Sequence, residues 1–449
     1  MGIPMKGIKQ TSDFDILFIY PALSVQERYG NRKVGDIGGR LPPIGIMSIA
    51  SYLREKGYRV DVIDALVSNW NNTDILNYIR KNEPKIIGIS SITPIFHRAC
   101  ECAQAIKEEF SDSLIIIGGH HVTIEPVEVL EENKCFDIGV CGEGEITIEE
   151  IFELYIKHGC RYEKFINDQQ LLSKIDGIVF RKNDYIVVNK PRVLISNLDI
   201  LPFPARDLVP IEKYIPLPNQ YKRLPVVHMV VIRGCPYKCT FCSNNAVFGR
   251  KIRSRSPIKV IEEIKHLIAV YGAKDISFWD DMMTANKKWM YELCDLIIRE
   301  KIDITWTCSA RADSVTKDLL KKMKAAGCWN IFFGFETGDQ QLLDNLEKGI
   351  TLDDIRNSSR WCKDVGIEIR ASFMIALPGE TPELAEKTIK FAKGINPEYA
   401  QFCITTPYPG TKLFKEAEKW GSLSKDYSQY NIWEPVFIPF GYKDKREVE

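Results

Sequence analysis

The sequence predicts an α/β protein in two parts, an N-terminal doubly wound, Rossmann-like parallel sheet followed by a partial (βα)6 TIM-like barrel. Strand-like apolar runs alternate with amphipathic stretches along nearly the whole chain, the pattern of parallel βα units. A Pro-rich segment separates two such series. Clusters of Gly, Cys, Asp and Glu fall directly after the strand-like runs, at the ends where α/β folds place their ligands.

In the first series, residues 14–20 (FDILFIY), 58–64 (YRVDVID), 85–92 (KIIGISSI), 114–119 (LIIIGG) and 136–141 (FDIGVC) read as five buried parallel strands. Their strand-end loops are Pro21–Ser24, Ser90–Ile95, Gly118–Thr123 and Cys141–Glu145. Residues 177–192 (GIVFRKNDYIVVNKPR) alternate apolar positions about an Asn-Asp turn, a hairpin signal. Pro202, Pro204, Pro210, Pro216 and Pro218 then mark a linker, expected to be an ordered crossover because it also carries Leu, Phe and Tyr. In the second series, residues 226–232, 275–279, 304–308, 330–335, 368–376 and 399–405 read as strands, with helices such as 257–271 and 315–326 between them. The expected boundaries are 1–160 for the sheet domain, 161–222 for hairpin and linker, 223–420 for the barrel and 421–449 for a short cap ending in a frayed KDKREVE.

Composition narrows the function. The 449 residues, with 45% hydrophobic and 27% charged, suit a globular protein of about three domains or one small and one large. Sixty Lys and Arg against 60 Asp and Glu leave no electrostatic footprint for nucleic acid or an anionic membrane. No apolar run approaches the ~20 residues that span a bilayer. The start, MGIPMKGIKQTSDFD, lacks the apolar stretch of a signal peptide, and GIPMKG lacks the Ser or Thr of a myristoylation motif, so a cytoplasmic location is expected. Thirteen cysteines, an odd number without an export signal, argue against a disulfide framework. Ten are scattered and read as small buried side chains.

Cys235, Cys239 and Cys242 are not scattered. They lie in RGCPYKCTFCS (233–243), spaced C-x3-C-x2-C just after the first barrel strand. Three thiolates in one loop suit zinc, copper(I) or an iron–sulfur cluster. Structural zinc wants four ligands, and the nearest histidine, His228, lies inside a predicted strand. A [4Fe–4S] cluster with one iron left open fits the count better. Packed core cysteines would sit poorly among Pro, Lys, Thr and Arg.

CPYKCTFC resembles the cluster motif of the radical S-adenosylmethionine (SAM) superfamily, including Phe241 before the last cysteine. The resemblance implies that the three cysteines hold three irons, that SAM chelates the fourth, and that electron transfer cleaves SAM to methionine and a 5′-deoxyadenosyl radical. FWDDMMT (278–284), SARAD (309–313), GFETG (334–338) and FMIALPGE (373–380) resemble strand-end motifs of the same superfamily. By that resemblance Asp280, Arg311 and Glu336 are cofactor-side candidates, and Ala376–Gly379 offers backbone to the adenine. Each taken alone reads equally well as a strand-end hydrogen bond or a surface ion pair. No clear GGE triplet is present, so the SAM amino group has no assigned partner.

The N-terminal sheet resembles the cobalamin-binding domain fused to many radical SAM proteins, in LPPIGIMSIASYLREKGYRVDVIDA (41–65), GGHHVT (118–123) and CGEGE (141–145). The resemblance spans residues 14–420 and implies corrin contacts from Gly118, Gly119, His120, Gly142, Glu143 and Gly144. Glycines let backbone approach a flat ligand, and they equally make turns. His120 and His121 read equally as loop histidines bonded to backbone. The D-x-H-x-x-G string that supplies a cobalt ligand elsewhere is absent, and YPALSV stands where a nucleotide-binding sheet carries G-x-G-x-x-G.

The resemblance implies a cobalamin-dependent radical SAM enzyme that methylates an unactivated carbon by way of the deoxyadenosyl radical and methylcobalamin. The alternatives are a cyclase or rearrangement enzyme with the same cofactors, and a non-catalytic cobalamin or metal sensor. A methylthiotransferase-like role would draw on Cys100, Cys102, Cys135 and Cys141 for a further cluster. The expected partners are a small-molecule substrate (a lipid, a tetrapyrrole or a natural-product intermediate) and an external electron donor such as flavodoxin or ferredoxin. Residues 406–440, rich in Tyr, Trp and Pro, read as a cover for the barrel mouth or as core aromatics of a cap.

Overall fold

The computed structural model describes residues 14–22, 39–183 and 185–449. Leu23 and Ser24 of the first strand-end loop, Asp184 of the hairpin turn, and the N-terminal start with its GIPMKG segment lie outside them. The described residues divide into two compact units, one within Met1–Ala22, Gly45–Arg192 and Pro204–Val209, the other within Leu23–Ile44, Val193–Phe203 and Pro210–Glu449.

The first unit is built on strands β1 (Ile16–Tyr20), β2 (Val60–Asp64), β3 (Ile86–Ser90), β4 (Leu114–Gly118), β5 (Ile138–Val140), β6 (Ile178–Lys182) and β7 (Tyr185–Val188). They form one sheet in the order β2-β1-β3-β4-β5-β6-β7. The expected five parallel strands are present, but the sheet has seven. The hairpin is not a separate connector, because β6 pairs antiparallel with β5 and β7 with β6. Ile178, Val179 and Phe180 are wholly buried there, so the apolar side of the hairpin is covered by joining the sheet. Gly88 is required in β3, since a Cβ would fall 2.6 Å from the Phe18 ring of the neighbouring strand.

The second unit holds a six-stranded, wholly parallel sheet in the order β15-β14-β13-β12-β11-β8. Its strands are β8 (Val226–Met229), β11 (Asp275–Phe278), β12 (Thr305–Ala310), β13 (Cys328–Glu336), β14 (Glu368–Ile375) and β15 (Tyr399–Ile404). The run 226–232 does not stay one strand. It breaks after Met229, and the short β9 (Ile232–Arg233) turns away to pair antiparallel with β10 (Arg253–Ser254). The helix Pro257–Tyr271 has the expected bounds because Ser256 caps its start, Pro257 opens it and Gly272, at φ 63°, ends it. Between sheet and helices lies the main core, with Trp306, Phe333, Phe335 and Phe373 against Leu293 and Leu319.

β16 (Gly421–Leu423) and β17 (Phe437–Pro439) form a small ribbon with Tyr430 and Phe437 wholly buried. The tail is not frayed: Asp444 caps a short helix, Lys445–Val448, and Val448 is buried. Among the described residues no helix is long and apolar enough to cross a membrane. Removing the Phe373 ring empties the centre of the sheet–helix core, so Phe373→Ala is expected to cost about 3–5 kcal/mol in denaturant unfolding of the second unit.

Candidate active site

The cysteine trio lies in the loop between β9 and β10, and that ribbon fixes both ends of it. Asp280, just past β11, is buried and accepts hydrogen bonds from the backbone N–H of Val231 (2.7 Å) and Ile232 (2.5 Å). Burial pushes its carboxyl up to about 8. Asp280 therefore bends the chain out of β8 and sets the loop. Its bonded oxygen faces backbone and not the cofactor expected for it. Gly234, at φ 91°, enters the loop where a Cβ would fall 2.4 Å from the Lys251 carbonyl, so only glycine fits. Cys242 N–H closes a turn on the Cys239 carbonyl (3.2 Å), and Thr240 N–H is held by the Leu346 carbonyl (2.9 Å).

Arg311, at the end of β12, joins this loop to the barrel. Its guanidinium stacks 3.6 Å over the Tyr237 ring. Its nitrogens reach the Cys239 sulfur (3.7 Å), both Asp313 oxygens (3.0 and 3.2 Å) and the Lys348 carbonyl (2.5 Å). Lys348 in turn pairs with Glu336 at 2.6 Å, both side chains buried. Lys348 Nζ also lies 5.7 Å from the Phe241 ring. Glu336 ends β13 at φ 63°, next to a register shift against β14, a strained turn that aims its carboxylate at Lys348. The ion pair uses one carboxylate oxygen, Oε1. Lys348 escaped the sequence reading because nothing local marks a lysine that folds back onto a strand end twelve residues earlier.

The turn after β14 is closed by Glu380, which accepts from Leu377 N–H (3.1 Å) and the Tyr442 hydroxyl (3.0 Å). Burial pushes the Glu380 carboxyl up to about 7. Ala376, at φ 62° and wholly buried, shapes the same turn.

The donor set suits the cluster. Burial pushes the Cys235 thiol up, so a bound metal must supply the charge that makes it a thiolate. Among the described residues no three His, Cys, Asp or Glu side chains are gathered as the shell of a single ion. A cubic cluster takes its thiolates at three separate corners, which a trio spread along one loop can supply. Cys100, Cys102 and Cys141 are thiols pushed up to about 12 by burial.

In the first unit the strand ends are tied together before any ligand binds. Thr123 donates to the Gly119 carbonyl (2.8 Å) and accepts from Gly142 N–H (2.9 Å), joining the loops after β4 and β5. The residues expected to contact a corrin divide into two kinds. Gly119, at φ 102°, would place a Cβ 2.3 Å from the Ser91 carbonyl, and Gly144 one 2.7 Å from Ile49, so both are packing glycines. Gly118 and Gly142 have nothing within 4 Å of a built Cβ, leaving open backbone for a flat ligand. Glu143 is buried.

The two histidines are not in a loop but open a short helix, His120–Ile124. His121 is a strut: it is buried, bonds Thr93 Oγ1 at 3.2 Å, lies 4.2 Å from the Phe96 ring, and is lowered to about 4 by burial. His120 is partly exposed, and burial lowers its pKa too, so it presents a neutral imidazole at the strand ends.

Comparison with known proteins gives two family matches, the Radical SAM superfamily over residues 229–392 and the B12 binding domain over residues 33–152. An uncharacterized methyltransferase of Pyrococcus horikoshii is 36% identical over 90% of this chain and 84% of its own length. An anaerobic magnesium-protoporphyrin IX monomethyl ester cyclase of Rubrivivax gelatinosus is 30% identical over 94% of this chain and 73% of its own. Among solved structures, the radical SAM methyltransferase TsrM of Kitasatospora setae, with cobalamin and a [4Fe–4S] cluster bound, matches with a TM-score of 0.70 at 20% identity, covering 90% of this chain and 74% of its own, a likeness of fold.

Two stability measurements test this geometry. Lys348→Met leaves the buried Glu336 charge alone and should cost about 3–5 kcal/mol, most of it recovered in the double variant Lys348→Met/Glu336→Gln, both read by denaturant unfolding. Glu380 keeps its proton to about pH 7 in the folded chain, against an unfolded value of 4.5, so its contribution is complete below pH 4.5 and lost as pH rises to 7. Stability of the wild type relative to Glu380→Gln should therefore fall by up to roughly 3 kcal/mol between those pH values, measured by denaturant titration.

Proposed function

Because the chain belongs to the radical SAM superfamily and carries a B12-binding domain, we propose that it is a cobalamin-dependent methyltransferase acting on an unactivated carbon of a small molecule. The observation that carries this is a cluster loop fixed by the Arg311–Tyr237–Cys239 contact in the second unit, in one chain with an open, glycine-edged set of strand ends in the first. When bound, the cluster and SAM supply a hydrogen-abstracting deoxyadenosyl radical, and the corrin supplies a transferable methyl group.

The chain's own residues hold and orient. Cys235, Cys239 and Cys242 are the ligands proposed for the cluster, and Arg311 keeps the Cys239 sulfur in place through a charge-assisted contact. Lys348 fixes the direction of Glu336, whose second oxygen is then available to the polar groups of SAM. Phe241 packs with Leu342, Leu346 and Leu377, an apolar wall that limits water beside the loop. The turn held by Glu380 presents backbone to the adenine. Gly118 and Gly142 admit the corrin, with His120 beside them. An external one-electron donor such as flavodoxin or ferredoxin completes the scheme.

Ring closure is the second reading, favoured by the likeness to the cyclase. The test is anaerobic reconstitution with iron, sulfide and hydroxocobalamin, reduction, and incubation of methyl-labelled SAM with candidate acceptors. Methylation gives 5′-deoxyadenosine, S-adenosylhomocysteine and label in the product. Deoxyadenosine with an unlabelled, altered acceptor would transfer the function to cyclisation, and no SAM cleavage at all would overturn both.

A further inference from the structure

The interior of a parallel barrel is ordinarily packed by layers of bulky branched apolar side chains. Here it is not. The strand registers place His228, Ser277, Thr307 and Asn330 side by side in one row across β8, β11, β12 and β13. The next row carries Ser309, Phe332 and Arg370 across β12, β13 and β14. Their chain neighbours, among them Ile276, Ile331, Ile369 and Ala371, join the apolar core beneath the helices. By strand alternation both polar rows face the opposite way, into the barrel.

Two of these side chains have unspent hydrogen-bonding capacity. Asn330 is wholly buried, and among the described residues neither its amide nitrogen nor its amide oxygen has a partner. Arg370, on the neighbouring strand, lies with its guanidinium 4.8 Å from the Phe332 ring, and its Nε and Nη1 are buried without an acceptor. Among the described residues no carboxylate pairs with it, and burial lowers its pKa to about 10. An always-charged group whose buried donors are unmet is costly unless something else meets them.

We propose that the inner wall formed by β13 and β14 is a binding seat for an oxyanion, a carboxylate or phosphate, with Arg370 as its cation and Asn330 as the amide that orients it. A guanidinium with unmet N–H donors recognises either oxyanion, and an amide beside it can donate to one oxygen or accept from a hydroxyl on the same group. That the oxyanion belongs to the methyl acceptor rests on the function proposed above, and it names the substrate class as acidic. That an oxyanion binds does not depend on that function.

The test uses the thermal unfolding midpoint of the full chain, which needs no cluster, SAM or corrin. Inorganic phosphate and benzoate are each titrated against chloride at matched ionic strength, with benzamide as the neutral counterpart of benzoate. In the wild type at least one oxyanion should raise the midpoint by a few degrees in a saturable way, and the stronger of the two identifies the group. Arg370→Gln should abolish the rise while starting from a midpoint no lower than the wild type's, because it removes an uncompensated buried charge. Asn330→Leu should raise the half-saturating concentration several-fold. Arg370→Lys, which keeps the charge and loses the fork of donors, should weaken the rise without abolishing it. The proposal is overturned if neither oxyanion exceeds chloride in the wild type, if Arg370→Gln keeps the rise, or if Arg370→Gln lowers the unliganded midpoint sharply, which would make Arg370 a structural group. Saturable oxyanion binding without methyl transfer would sustain this seat and sink the function; methyl transfer without oxyanion binding would do the reverse.

Discussion

Arg311 leaves the end of β12 and stacks 3.6 Å over Tyr237, while its nitrogens reach the Cys239 sulfur, Asp313 and the Lys348 carbonyl. One planar, permanently charged group thus fixes the cluster loop, one strand end and the segment that carries Lys348. The other parts of the site depend on it in sequence. Lys348 is placed to pair with Glu336, Glu336 is held at a backbone angle that a free residue would avoid, and Phe241 is left beside the lysine against an apolar wall. Asp280 makes the complementary contribution from below the loop, by turning the chain out of β8.

The first unit solves a different problem with little charge. Its strand ends must be rigid and yet leave backbone uncovered. Thr123 ties the loops after β4 and β5 together, His121 ties the segment after β4 to Thr93 beyond β3, and the glycines divide between positions where a Cβ would collide and positions where it would meet open space. Only the second kind can touch a broad flat ligand. Neutral imidazoles, lowered by burial, keep that surface free of added positive charge at neutral pH.

The strands were legible because buried parallel strands are short apolar runs, and the helix Pro257–Tyr271 because its cap, its proline and its terminal glycine are all local signals. The cysteine trio was legible for the same reason, with all three thiols in one loop. What escaped depends on partners far along the chain. The hairpin was visible as a hairpin, but its place in the sheet comes from pairing with β5, about forty residues earlier. The break after Met229 is caused by Asp280, some fifty residues later, through bonds from Val231 and Ile232 to one of its carboxylate oxygens. Lys348 and the inner-wall pair Asn330 and Arg370 carry no local pattern at all. A polar residue inside an apolar strand run looks like a blemish until the registers show it beside others of its kind.

The most direct measurement of whether the three cysteines hold a cluster with one iron open to SAM is electron paramagnetic resonance of the anaerobically reconstituted, reduced chain, with and without SAM. The expected result is a reduced-cluster signal that shifts when SAM is added and is lost in Cys239→Ala. A signal indifferent to SAM, or a chain that retains zinc in place of iron, would contradict it.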